Sequence, residues 1–175
     1  NLTLGKLYRQ RGENDKAIAM HQALLDSPDT VGEKRERVLF ELGQNYQSAG
    51  LVDRAEQIFL GLESGNMGKE ARQVLLNIYQ QDRDWEKAIA TAQWLSHDEQ
   101  TYQFEIAQFY CELAQAALFK SDFAAARAAL ARCVADTGTA IDGLSPAAQD
   151  ELAELFTLLS LAPGRLLLAG LTRPW

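Results

Sequence analysis

The sequence predicts an all-α chain, a solenoid of helical hairpins about four repeats long with a C-terminal helical tail. Three observations lead there. An alanine recurs in phase at Ala17, Ala55, Ala88 and Ala126, at intervals of 38, 33 and 38 residues. The same stripe precedes each one by 13 residues: Leu4-Gly5-x-x-Tyr8, Leu42-Gly43-x-x-Tyr46, Leu75-Leu76-x-x-Tyr79 and, weaker, Leu113-Ala114-x-x-Ala117. Apolar residues make up 47% and charged residues 23% of the 175 residues, which excludes collagen, coiled-coil and disordered chains.

The intervals bracket the ~34-residue period of the tetratricopeptide repeat (TPR), a helix–turn–helix unit. The array covers residues 1–136, with repeats at approximately 1–28, 34–64, 68–97 and 102–136. In each unit the first helix carries the Leu-small-x-x-Tyr stripe. Glycine inside a helix costs ~1 kcal/mol against alanine, so Gly5 and Gly43 predict a close approach of the second helix. Turns follow at Arg11-Gly12-Glu13-Asn14, Ser48-Ala49-Gly50, Gln81-Asp82-Arg83-Asp84 and Lys120-Ser121-Asp122. Gly12 and Gly50 suit a left-handed helix stop. The acidic and amide residues beside them suit the next helix's N-terminus.

The second helices open as Asp15-Lys16-Ala17-Ile18, Asp53-Arg54-Ala55-Glu56, Glu86-Lys87-Ala88-Ile89 and Ala124-Ala125-Ala126-Arg127. Each alanine faces the first helix at closest contact. Apolar residues follow at helical spacing: Leu24, Ile58 and Phe59, Ala92 and Leu95, Leu130 and Cys133. Tyr46 and Phe59 are therefore expected in the core, and His21 takes Phe59's place in the first repeat as a satisfied, partly buried histidine. Tyr102 to Tyr110 opens a long first helix of the fourth repeat, with its aromatics turned to the core. Residues 137–145 read as a loop. Ser145-Pro146 starts a divergent apolar helical tail over 146–175, a route to self-association if exposed.

Charge and cysteine usage narrow the function. A net charge of −7 lacks the basic footprint of a nucleic-acid binder and is repelled by an anionic membrane surface. The most apolar stretch, Leu152 to Leu171, is interrupted by Glu154, Pro163, Gly164 and Arg165, so direct membrane insertion by this segment is not expected. Cys111 and Cys133 form no metal-ligand spacing and read as small hydrophobes in a reducing setting. His97 lies in a solvated Ser-His-Asp-Glu loop. Ser96-His97-Asp98 is no triad, because adjacent residues do not face one another. Without a phosphate-cradling loop, a metal-binding helix motif or isolated carboxylates, the chain reads as a non-enzyme with no cofactor of its own.

A helical solenoid works through its concave face, lined here by the first helices. The groove columns hold Lys6, Arg9 and Gln10, then Arg37, Gln44 and Gln47. Gln73, Asn77, Gln80 and Gln81 follow, then Gln108, Glu112 and Gln115. Amides both donate and accept, so they suit an extended peptide backbone. Repeats that clamp a terminal carboxylate need Lys and Asn at set groove positions. Lys6 and Arg9 only loosely echo that pattern, and the second repeat supplies Gln.

Three segments go beyond the generic repeat: Leu2 to Glu13, Ala49 to Glu56, and Glu105-Ile106-Ala107-Gln108-Phe109-Tyr110-Cys111-Glu112-Leu113-Ala114. With them the chain resembles the bacterial lipopolysaccharide assembly protein B (LapB or YciM) family over approximately residues 1–136. The resemblance implies a cytoplasmic repeat array behind an inner-membrane helix, with a metal in a separate C-terminal rubredoxin-like domain. It implies an adaptor that brings the LpxC deacetylase to the FtsH membrane protease and so regulates lipopolysaccharide synthesis. The opening on Asn1 within a helical pattern, without anchor or Cys pairs, predicts a fragment from the front of the array. Two alternatives stand beside it: a generic TPR peptide-binding or assembly module, and the non-catalytic TPR part of a glycosyltransferase.

Overall fold

The computed structural model describes residues 2–96 and 102–137. Among them are eight helices and no strand: α1 Leu2–Gln10, α2 Asn14–Leu25, α3 Gly32–Ser48, α4 Val52–Leu62, α5 Gly68–Gln81, α6 Trp85–Ser96, α7 Gln103–Phe119 and α8 Phe123–Thr137. Consecutive pairs form four hairpins. The chain divides after Asp98 into two compact units. The first holds three hairpins, α1–α2, α3–α4 and α5–α6. The second holds α7–α8.

The repeat alanines set the hairpin spacing. Ala17, Ala55, Ala88 and Ala126 are all completely buried. The small residues opposite do the same from the first helix. A Cβ on Gly5 would lie 2.4 Å from the His21 ring, and one on Gly43 would lie 2.8 Å from the Phe59 ring. Neither space admits a methyl group without displacement. Phe59 is completely buried and packs edge-on against Phe40, with ring centroids 5.4 Å apart. Tyr46 is buried as well.

Each hairpin turns in one way. The backbone goes left-handed at Gly12 (φ 76°), Gly50 (75°), Arg83 (56°) and Ser121 (59°). The following amide reaches back to the stripe residue of the first helix. Glu13 N–H donates to Tyr8, Leu51 to Tyr46, Asp84 to Tyr79 and Asp122 to Ala117, each at 2.9 Å. These are Schellman stops, which satisfy the last free carbonyls of the helix. Two glycines accept the conformation freely, whereas Arg83 and Ser121 hold it against their own Cβ atoms. The second helices of the third and fourth repeats are capped in return: Asp84 accepts from Lys87 N–H (3.3 Å) and Asp122 from Ala125 N–H (2.9 Å). Glu13 and Leu51, at the same place in the first two repeats, give α2 and α4 no side-chain cap.

A cation lies over each stripe tyrosine eight residues further on: Lys16 over Tyr8 (5.6 Å to the centroid), Arg54 over Tyr46 (5.8 Å) and Lys87 over Tyr79 (5.0 Å). The fourth repeat has Ala117 and Ala125 there and lacks the pair. In that unit Ile106, Phe109, Tyr110, Cys111, Leu130 and Cys133 form the core. Phe104 is half-exposed, which corrects the expectation that every aromatic of this helix faces inward. Its neighbours Ile106 and Ala107 take the buried stripe instead. The expectations for His97 and for the tail beyond Thr137 lie outside the described residues.

Candidate functional site

Two seams join the three hairpins of the first unit, and they are built from different chemistry. At the second seam Phe59 of α4 and Ala71, Leu75 and Ile78 of α5 are all buried. At the first seam the corresponding positions are polar. His21 replaces Phe59, Glu41 stands where α5 has Val74, and Asn45 stands where α5 has Ile78. Lys6 and Arg9 stand where α3 has Gln44 and Gln47.

These five polar residues satisfy one another. The Glu41 carboxylate accepts from Lys6 Nζ (2.7 Å) and from Arg9 Nη1 (2.9 Å). The same Arg9 nitrogen reaches the Glu41 carbonyl (3.3 Å) and Asn45 Oδ1 (3.0 Å). With its oxygen committed to Arg9, Asn45 turns its Nδ2 to His21 Nδ1 (2.6 Å). The other ring nitrogen faces the Leu2 carbonyl (3.4 Å). His21 and Asn45 have no exposed surface, and the Glu41 side chain is 9% exposed. A buried polar cluster is tolerable only when its members are paired, and here each one is. The ring accepts at Nδ1, so it is neutral. Burial pushes its pKa below the usual histidine value, with Arg9 and Lys6 acting in the same direction and Leu2 and Glu41 opposing.

The groove columns lie beside this network. Lys6, Gln44 and Asn77 hold one repeat position on α1, α3 and α5, and Arg9, Gln47 and Gln80 hold the next. Gln10 and Gln81 share a third and are exposed, as are Gln73 and Asn77, while Gln44, Gln47 and Gln80 are half-buried. Gln44, Gln47, Gln73, Asn77, Gln80 and Gln81 make no side-chain hydrogen bond among the described residues. Arg37 is exposed and pairs with Glu33 (3.3 Å) on its own helix. In the second unit Gln108 is exposed and Glu112 and Gln115 are half-buried. The third column becomes Phe119, which is 94% exposed. Thus the structure brings Lys6 and Arg9 into the seam and leaves the amides of α3 and α5 open to a visitor. Glu41 and Asn45 did not emerge from the sequence reading. Their signal was present, as polar residues in columns that α5 fills with Val74 and Ile78.

The remaining perturbed groups move away from neutrality. Burial and then a hydrogen bond to Glu56 push Tyr79 up to about 12. Burial and then Asp136 do the same for Tyr110, whose hydroxyl donates to that carboxylate. Among the described residues no cluster of His, Cys, Asp and Glu has metal-binding geometry, and no helix is long and apolar enough to cross a membrane.

Residues 3–35 match the tetratricopeptide repeat family. The lipopolysaccharide assembly protein B of Escherichia coli K12 is 46% identical over 118 residues, covering 65% of this chain and 30% of that protein. The Haemophilus influenzae protein of the same name is 39% identical over 116 residues, covering 65% and 29%. Over that stretch this chain is similar to lipopolysaccharide assembly protein B. It spans about a third of the length of the curated relatives it matches. The solved structure of MamA (AMB-1) superposes with a TM-score of 0.50 at 16% identity, covering 98% of this chain and 95% of that one, a likeness of fold. The TPR fold makes this a protein–protein interaction segment.

Proposed function

We propose that this segment is a non-catalytic adaptor surface of lipopolysaccharide assembly. In the full-length protein it helps couple the LpxC deacetylase to the FtsH protease at the cytoplasmic face of the bacterial inner membrane. Holding substrate and protease together raises their effective local concentration, which is the whole of its chemistry. It needs no cofactor of its own. The observation that carries the reading is the 39–46% identity to lipopolysaccharide assembly proteins B on a scaffold that displays unpaired amides.

The test is binding of the chain to purified FtsH-type protease and to LpxC, each immobilised separately, beside the Gln44→Ala/Gln47→Ala variant. Binding that the variant weakens places the contact on the amide columns. Intact binding moves it to another face. No binding to either would overturn the adaptor reading for this segment and favour a generic peptide-binding role.

A further inference from the structure

The first seam carries a titratable residue at its centre and the second does not. We propose that the seam between the first two hairpins is a proton-gated joint. Uptake of one proton by His21 releases α1–α2 from α3, while the seam built on Phe59, Val74 and Ile78 stays closed.

The hydrogen-bond network gives the proton no place to go. Nδ1 accepts from Asn45 Nδ2, so a proton there would set two donors against each other at 2.6 Å. Flipping the Asn45 amide would turn its oxygen to the ring but its NH2 to Arg9, breaking the 3.0 Å bond that now fixes it. Either response leaves a buried donor without an acceptor. The charged groups that act on the ring are Arg9 and Lys6 from α1 and Glu41 from α3. Glu41 is already shared by both cations, so an imidazolium would be a third positive charge on one carboxylate. Gly5 lies against the ring, so the imidazolium has no room to move away. Separation of the hairpins relieves all of these costs together, because it admits water to the ring.

The sign follows from linkage. The open state binds the proton near the ordinary histidine value of 6.5 and the closed state only below it. The closed joint therefore has its full stability above pH 6.5 and loses it as pH falls, by at most ~tenfold in the opening equilibrium per pH unit. Carboxylates titrate near ~4, leaving a window of roughly pH 5 to 6.5 for His21 alone.

The experiment is amide hydrogen exchange on the 175-residue chain carrying His97→Gln, corrected for intrinsic rates and read between pH 7.5 and 5. The expected result is an opening equilibrium for α1–α2 that rises severalfold to tenfold per unit below 6.5, with α5–α6 unchanged. A variant that copies the second seam into the first (Lys6→Gln, Arg9→Gln, His21→Phe, Glu41→Val, Asn45→Ile) should abolish the response. Equal pH dependence in both hairpins, or a response that survives the copy, would overturn the joint. If that variant does not fold, the His21 ring titrated by NMR in the His97→Gln chain decides. A ring that titrates at or above 6.5 refutes the proposal, and one that titrates clearly below supports it.

Discussion

The two seams of the first unit occupy the same repeat columns with opposite chemistry. In those columns the second is apolar, with Phe59 and Ile78 buried and Val74 partly so, while its ion pairs, Glu63–Arg72 and Glu56–Lys87, lie outside them. The first places Lys6, Arg9, His21, Glu41 and Asn45 in those columns and must orient every one. An apolar seam tolerates small slips, because dispersion and burial are non-directional. A hydrogen-bonded seam has one register, since each partner fixes the next. The difference teaches that a repeat backbone leaves seam chemistry free, provided that whole columns change together.

The largest break of the comparison is at Phe59. Phe59→Ala removes a completely buried ring and leaves a cavity against Gly43 and Phe40. It should cost ~3–5 kcal/mol in urea unfolding followed by far-ultraviolet circular dichroism. A loss below ~1 kcal/mol would mean that the second seam is not the tight one.

The polar seam is tested at Asn45. Asn45→Ala strips a partner from both His21 Nδ1 and Arg9 Nη1 in a buried setting. It should cost ~1–3 kcal/mol. At the equivalent column of α5, Ile78→Val should cost ~0.5–1.5 kcal/mol. The first cost should shrink in a His21→Phe background, because the unsatisfied ring acceptor is then gone. Full additivity in that double-mutant cycle would show that the network is not one unit.

The hairpins were legible because their signals are redundant. Alanine, glycine and tyrosine recur at fixed offsets, and each reports one packing requirement that the fold then meets. The burial of Tyr46 and Phe59 and the equivalence of His21 with Phe59 followed from column position alone. The partners of Lys6 and Arg9 did not, although Glu41 and Asn45 were in plain sight. Column reading asks which residues face the groove, and these two face the neighbouring repeat. A long cation at a column edge reaches either way, and only the three-dimensional distance shows that Glu41 is near enough to hold both. Phe104 escaped for a related reason. Five aromatic or aliphatic residues within seven positions exceed what one helix face can bury, so one of them had to face outward.

The smallest effect lies in the turns, where one stop is built on glycine at Gly12 and Gly50 and without it at Arg83 and Ser121. Gly50 takes φ 75° with nothing within 4 Å of where its Cβ would be, so Gly50→Ala meets only backbone strain. It should destabilise by ~1–2 kcal/mol. Arg83 has the same conformation at φ 56° and already bears that strain. Arg83→Gly relieves it but adds freedom to the unfolded chain, worth ~0.4–1 kcal/mol in the other direction. The net expectation is a gain of roughly 0.5 kcal/mol, read as a rise of a degree or two in Tm. Opposite signs at Gly50 and Arg83 would confirm that one stop serves every hairpin. A loss at both would mean that the Arg83 side chain contributes more than its backbone costs, and that the third turn is stabilised in its own way. Asp84 offers the means, since its carboxylate caps α6 where the second repeat has only Leu51.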